Sequence, residues 1–404
     1  MGVHGRSSIA GVESSASGVS RRGPGRLLPA RLGPYELFDH IGRGGMADIY
    51  RARKAGDFGV VREVVVKEIL PELARVDRLA ELLAAEAKTA ARLEHTNVVR
   101  IEDLQRDAST LFIAMEYVDG LDLRELFRVC SRQGTWIPPQ LGLWIVIELL
   151  HALDYAHGFE VIDEAGSLRR GIIHRDVSPS NVLISFEGEV KLCDFGIAKS
   201  YDGDGAEHLE GMVEGKAGYM SPEQARGEAL DGRADVFAAG IILFELISGR
   251  KLYKAKPGES LFDVARRAQS RPLPAAELPR GDELAAIVAR ALAVEPSERF
   301  ATAGELAREL SRYAAAANLH GSSIKLRRFL EEHVAEVVLE ARRRRELATE
   351  AIGRGPAAEL EPIPAPAPAP LVVAVAAPGR GPSWWAVIVV ALALCAAVVF
   401  MFVR

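Results

Sequence analysis

The sequence predicts an α+β protein that carries one C-terminal transmembrane helix, and three observations support that expectation. The first is a glycine-rich segment, Ile41-Gly42-Arg43-Gly44-Gly45-Met46-Ala47-Asp48-Ile49, followed by the β-branched run Val64-Val65-Val66-Lys67. These read as a turn between two strands and then a further strand. The second is a pair of helical stretches, Leu82 to Lys88, made of good helix formers, and the apolar segment opened by Asp235. The third is Ala386 to Val403, an unbroken apolar run closed by Arg404.

At 404 residues the chain has room for one large domain and little else of comparable size. A net charge of -5, with no basic stripe interleaved with aromatics, argues against nucleic acid as a partner. The three cysteines, Cys130, Cys193 and Cys395, lack paired or metal-like spacing, which points to a reduced, cytosolic domain.

The glycines Gly42, Gly44 and Gly45 let backbone N–H groups approach phosphates without an intervening Cβ; Ala47 stands where a G-x-G-x-x-G pattern has its third glycine. A lysine ending an apolar strand is costly unless paired, so Lys67 is expected to have a partner. Glu86, on the helical stretch, is the candidate; a solvated helix face is the plain alternative for it. Next comes His174-Arg175-Asp176-Val177-Ser178-Pro179-Ser180-Asn181, then Asp194-Phe195-Gly196. This is the polar set that phosphoryl transfer from Mg-ATP requires: Asp176 can accept a hydroxyl proton, and Asn181 and Asp194 can hold metal ions. Tyr219-Met220-Ser221-Pro222-Glu223, Asp235-Val236-Phe237 and Ser297-Glu298-Arg299-Phe300 follow in order.

That ordered set resembles the eukaryotic-like Ser/Thr protein kinases of bacteria over roughly residues 35–312. The resemblance implies a two-lobed kinase fold, with a small β-rich N-lobe and a large helical C-lobe, using ATP and Mg²⁺ to phosphorylate Ser or Thr of cytoplasmic proteins. It implies Lys67 and Glu86 as the strand-lysine and helix-glutamate pair, Asp176 as base, and Asn181 and Asp194 as metal ligands. Met115 matches the gatekeeper, and Glu116-Tyr117-Val118 the hinge that binds adenine. Ile41, Ile49, Val65 and Leu183 are then expected to line the adenine pocket; read without the family they are core aliphatics. Glu223 and Arg299 match a buried salt bridge, and Asp235 the anchor of the catalytic-loop backbone.

One departure stands out. The family's loop lysine is replaced by Ser178, and a family threonine is replaced by Lys216, as though the hydroxyl and the ammonium had traded places. Lysine is a flexible point charge, so Lys216 is expected to restore the lost cation from the opposite loop. The alternative is a membrane-tethered pseudokinase scaffold that binds nucleotide and transfers nothing. Between Asp194 and Glu223 there is no threonine, and the segment is acidic (Asp202, Asp204, Glu207, Glu210, Glu214), so activity is expected not to depend on phosphorylation there.

The flanks complete the organisation. Residues 1–34 are Gly/Ser-rich and read as disordered. Residues 313–352 read as a helical extension, with Ile324, Phe329, Leu330, Val334, Val337 and Val338 near one face. Packing under the large lobe is the plain reading of that face, and a homodimer-forming stalk the sharper one. Residues 353–383 are a Pro/Ala-rich linker. The 18 residues Ala386 to Val403 give a helix of about 27 Å, close to the thickness of a bilayer's hydrocarbon core. With Trp384 and Trp385 at one interface, residues 384–403 predict a tail-anchored, single-pass protein in the lipid bilayer whose kinase domain faces the cytoplasm.

Overall fold

Alternating side chains between residues 30 and 116 build a small lobe around a single antiparallel sheet. The computed structural model describes residues 28–347 apart from 45, 57, 59, 71–83, 86, 108–109, 163–167, 196–216, 257, 269–270, 341–342 and 344–345. The sheet contains β1 (Ala30–Leu32), β2 (Tyr35–Arg43), β3 (Ala47–Ala55), β4 (Val61–Ile69), β5 (Ile101–Asp107) and β6 (Thr110–Glu116), in the order β1-β2-β3-β4-β6-β5. β1 lies in the stretch expected to lack structure. It is held there because Leu32 is buried and Ala30 pairs with Leu37, so order begins before residue 35.

The period of two explains how the strand lysine is tolerated. Tyr35, Leu37, Tyr50, Ala52, Val64, Val66, Phe112 and Ala114 close a core on one side of the sheet. Cross-strand register places Ile49, Lys67 and Ile113 in one row and Arg51, Val65 and Met115 in the next, on the other side. Lys67 therefore points away from the core that Val64 and Val66 fill.

The large lobe is helical: α1 (Leu123–Gln133), α2 (Pro139–Gly158), α3 (Pro222–Arg226), α4 (Arg233–Ser248), α5 (Leu261–Arg267), α6 (Gly281–Ala291), α7 (Ala303–Ala316) and α8 (Ser323–His333). Short strands β7 (Gly120–Asp122), β10 (Val182–Ser185) and β11 (Val190–Leu192) form a second sheet in the order β11-β10-β7. The hairpin β8 (Glu160–Ile162) and β9 (Leu168–Arg170) separates α2 from the loop that contains His174. Helix α4 is apolar all round from Val236 to Phe244, and such a helix can only be an interior one. Asp235, in its first turn, is thereby carried into the lobe and buried.

α8 settles the choice between the two readings of the helical extension. Leu326, Phe329, Leu330 and Val334 belong to the large-lobe core, and Val337 and Val338 pack against it. The apolar face is consumed within the chain, so over these residues the plain packing reading holds and the dimer stalk does not. Ile324 was placed on that face by periodicity, but it is 72% exposed and Leu326 takes the inward position. The docking is close: a Cβ on Gly188, whose φ is +85°, would stand 2.0 Å from the Ser323 carbonyl oxygen, which only glycine avoids. Among the described residues no helix is long and apolar enough to cross a membrane; the expected span 384–403 and the linker 353–383 lie outside them.

Candidate active site

The loop before β10 is shaped by the buried start of α4. Asp235 accepts the His174 N–H on Oδ2 at 2.7 Å and the Arg175 N–H on Oδ1 at 2.9 Å. His157 Nε2, from the end of α2, lies 2.8 Å from the same Oδ2. Arg175 has φ of 63°, a left-handed conformation that costs a side-chain-bearing residue free energy. Those two bonds, with Gln224 Nε2 donating to the Arg175 carbonyl at 2.7 Å, hold it there.

The His174 ring ties this loop to the next one. Its Nδ1 accepts the Asp176 N–H at 3.2 Å, so the ring proton sits on Nε2, which donates to the Cys193 carbonyl at 2.9 Å. Burial keeps the imidazole below the ordinary histidine pKa, outweighing the attraction of Asp235, so the ring is neutral. The Phe195 ring packs on it at 4.7 Å between centroids, which fixes the chain on both sides of Asp194. Asp194 itself has φ of 58°.

Two polar contacts then bring the expected chemistry together. Asn181 Nδ2 donates to the Asp176 carbonyl at 2.8 Å and to Asp176 Oδ2 at 2.9 Å. Lys67 Nζ, reaching from β4, lies 2.9 Å from Asp194 Oδ1. Burial works to lower the Lys67 pKa, but the attraction and hydrogen bond of Asp194 outweigh it and hold the ammonium above the ordinary lysine value. The expected partner Glu86 lies outside the described residues, as do Gly45 and Lys216.

The donor set suits Mg²⁺. With its amide NH₂ spent on Asp176, Asn181 has its amide oxygen to offer a cation, and Asp194 adds a carboxylate. Among the described residues no group of three or more His, Cys, Asp or Glu is arranged to hold a metal alone. A hard cation that takes one or two protein oxygens and completes its shell with phosphates and water fits such a sparse set.

On the small-lobe side, Val65, Met115, Val118 and Leu183 gather in one apolar cluster with Cys193. Ile49 stands on the same sheet face, opposite Lys67 and Gly42. Ile41, expected to line the adenine pocket, is 50% exposed at a register shift of β2 between His40 and Gly42, so the alternative reading of it as a core aliphatic does not hold. The Glu116 N–H donates to the Arg100 carbonyl at 2.9 Å and its carboxylate holds Lys191 at 2.8 Å, which fixes the start of the segment expected to meet adenine. Gly42 lies within β2, and Gly44 turns the chain by donating its N–H to the Ala47 carbonyl at 2.9 Å.

Ser178, at the position where the resemblance calls for a lysine, is buried, with its Oγ 3.0 Å from Ser180 Oγ. Further along, Arg299 grips Glu223 through two bonds of 2.6 and 2.7 Å, and its remaining N–H groups reach the carbonyls of Ala293, Val294 and Arg233. Sequence reasoning did not find the companion cluster at Tyr219. The Tyr219 hydroxyl donates to Glu245 Oε2 at 2.7 Å, and Lys251 Nζ lies 2.8 Å from the same oxygen. No spacing signal could have revealed it, since Glu245 lies deep in an apolar helix and Lys251 in the loop beyond.

Comparison with known proteins agrees with this geometry. The family model "Protein kinase domain" matches residues 35–310. The chain is 35% identical over 305 residues to the tyrosine-protein kinase MasK of Myxococcus xanthus, covering 75% of this chain and 46% of that protein. It is 35% identical over 286 residues to the serine/threonine-protein kinase PknB of Mycobacterium tuberculosis, covering 69% and 42% respectively. The chain thus spans less than half the length of these curated relatives. The crystal structure of the Mycobacterium tuberculosis PknI kinase domain superposes with a TM-score of 0.52 at 28% identity, over 70% of this chain and 97% of that one.

Proposed function

We propose that this chain, which belongs to the protein kinase family, transfers the terminal phosphoryl group of ATP to Ser or Thr hydroxyls of other proteins. The observation that carries the reading is the meeting of Lys67 with Asp194 beside the bonded pair Asp176 and Asn181. In this reading Asp176 accepts the proton of the attacking hydroxyl. Lys67, held charged, offers a cation to the nucleotide phosphates, and Asn181 and Asp194 hold Mg²⁺. When bound there, Mg²⁺ offsets the negative charge of the phosphates. The apolar cluster of Val65, Met115, Val118 and Leu183 takes the base. The cation missing at Ser178 is supplied by Lys216.

The test is transfer of γ-phosphate from Mg-ATP by the full chain to a generic protein acceptor, with phosphoamino-acid analysis of the product. Transfer to Ser and Thr that disappears in Asp176→Ala supports the reading. Nucleotide binding with no transfer in the wild type would instead favour a pseudokinase scaffold. Phosphotyrosine as the sole product would favour the acceptor named for the MasK relative. Unchanged kinetics in Lys216→Ala would remove the compensating role of that lysine.

The same reading anchors the protein in a membrane through residues 384–403, with 353–383 as spacer and the kinase domain on the cytoplasmic side. The support is the uninterrupted apolar run beside Trp384 and Trp385. Deleting 384–403 is expected to move the chain from the membrane fraction to the soluble one; retention in the membrane fraction would refute the anchor.

A further inference from the structure

Arg51 is a buried cation of the small lobe that the proposed chemistry does not use. It lies mid-strand in β3, and its side chain is 6% exposed, on the same sheet face as Val65 and Met115. A buried guanidinium needs partners, and here they come from three directions. Asp39 of β2 lies 3.7 Å from Nη1, and Glu63 of β4 lies 3.3 Å from Nη2. The guanidinium carbon stands 5.2 Å from the centre of the Phe38 ring and 4.7 Å from that of Tyr117, both within cation–π range. Tyr117 sits directly after β6, between Glu116 and Val118, in the segment that joins the two lobes. Val118 is one of the residues of the apolar cluster assigned to the base.

From this placement we infer that Arg51 is a positioning residue for the nucleotide: it clamps the connecting segment to the small-lobe sheet by its hold on Tyr117. The inference rests on the kinase reading above. The two carboxylates hold the guanidinium between β2 and β4, and the cation so held stands over the Tyr117 ring. The backbone at Tyr117 and Val118 is thereby held at a set distance from Val65, which stands directly opposite Arg51 in the register. The planar group matters as well as the charge: a lysine keeps the charge but cannot stack flat on a ring while meeting two carboxylates. Such a clamp acts on the binding of the base and leaves the proton transfer at Asp176 alone.

The experiment uses the full chain and measures ATP binding with a fluorescent ATP analogue alongside steady-state kinetics. Arg51→Met keeps the length of the side chain and removes the cation. The expected result is a KM for ATP and a nucleotide Kd raised about 5- to 20-fold, as for loss of a desolvated cation–π contact, with kcat and the KM for the protein acceptor within about twofold. Tyr117→Leu is expected to give the same split, and the double variant no more than either single one, since both remove one interaction. Arg51→Lys is expected to recover only part of the loss. Nucleotide Kd unchanged in Arg51→Met, or effects of the two substitutions that multiply, would overturn the clamp. So would a parallel loss in kcat and in both KM values. If Arg51→Met fails to fold, Tyr117→Leu alone decides, because an unchanged Kd there overturns the clamp equally. A wild-type chain that bound no nucleotide would overturn the kinase reading as well, which separates the two failures.

Discussion

Lys67 Nζ lies 2.9 Å from Asp194 Oδ1, so a strand of the small lobe and a loop of the large lobe meet through one ion pair. The residues stand 127 positions apart in the chain, and the pair joins the cation proposed for phosphates to the carboxylate proposed for metal. Each orients the other. Replacing Lys67 by Met is expected to lower kcat/KM by at least about 100-fold, as for loss of a pre-aimed charge in a desolvated site. Because Asp194 holds the ammonium above the ordinary lysine value, no loss of activity below about pH 10 is expected to trace to its deprotonation. A pH–rate profile of wild type with steady-state kinetics of Lys67→Met checks both statements.

Asp235 accepts two consecutive backbone N–H groups of the loop that presents Asp176. In Asp235→Asn one of these donors would face an NH₂ group, and Arg175 would lose part of what keeps it left-handed. A charge-assisted hydrogen bond of about 1.5–3 kcal/mol corresponds to a fall in kcat of about 10- to 100-fold. The KM for ATP is expected to stay within about threefold, since the substitution disturbs the base and not the Val65 cluster. Equal changes in kcat and in KM would contradict that assignment.

Glu223 and Arg299 form a bidentate pair whose arginine side chain is wholly buried. Glu223→Gln leaves an uncompensated buried guanidinium, expected to cost about 3–5 kcal/mol of unfolding free energy by urea titration. Burial pushes the Glu223 pKa up, but the Arg299 hydrogen bonds and charge outweigh it and hold the carboxyl below the ordinary range. Its folded-state pKa is therefore the lower one. The contribution is present above the unfolded value of about 4.3 and is lost as pH falls through the folded value.

His174 gives the opposite signature at milder pH. Burial depresses its folded pKa, so above about pH 6.5 both states are neutral and it has no effect. Below that value the unfolded chain takes up a proton that the folded chain refuses, and stability falls, by up to about 1.4 kcal/mol per pH unit. His174→Asn is expected to flatten the decline of the urea midpoint between pH 7 and 5. A slope identical to wild type would exclude His174 as its source.

The site was legible in the sequence to the extent that its parts are close neighbours in the chain. His174 to Asn181 spans eight consecutive residues, so identity and spacing alone suggest that Asn181 can reach Asp176, and the structure has them bonded. The pairing of Glu223 with Arg299 was expected only through resemblance to the protein kinases, since no local rule connects them. Misreadings fell where a face had to be assigned. Ile41 follows a register shift, and Ile324 lies in the first turn of α8, where periodicity alone does not say which side meets the lobe.

The sequence by itself determined the α+β class, the strand that carries Lys67, the apolar character of α4 and the order of the polar motifs, because these depend on side-chain periodicity and on residues in succession. Only the tertiary structure decided that Lys67 meets Asp194, that Lys251 joins Tyr219 on Glu245, and that Arg51 stands over Tyr117. Each of those contacts joins separate elements through a charge that is stable in the interior only beside its partner. Which partner that is depends on sheet register and helix docking, set by the packing of the whole lobe.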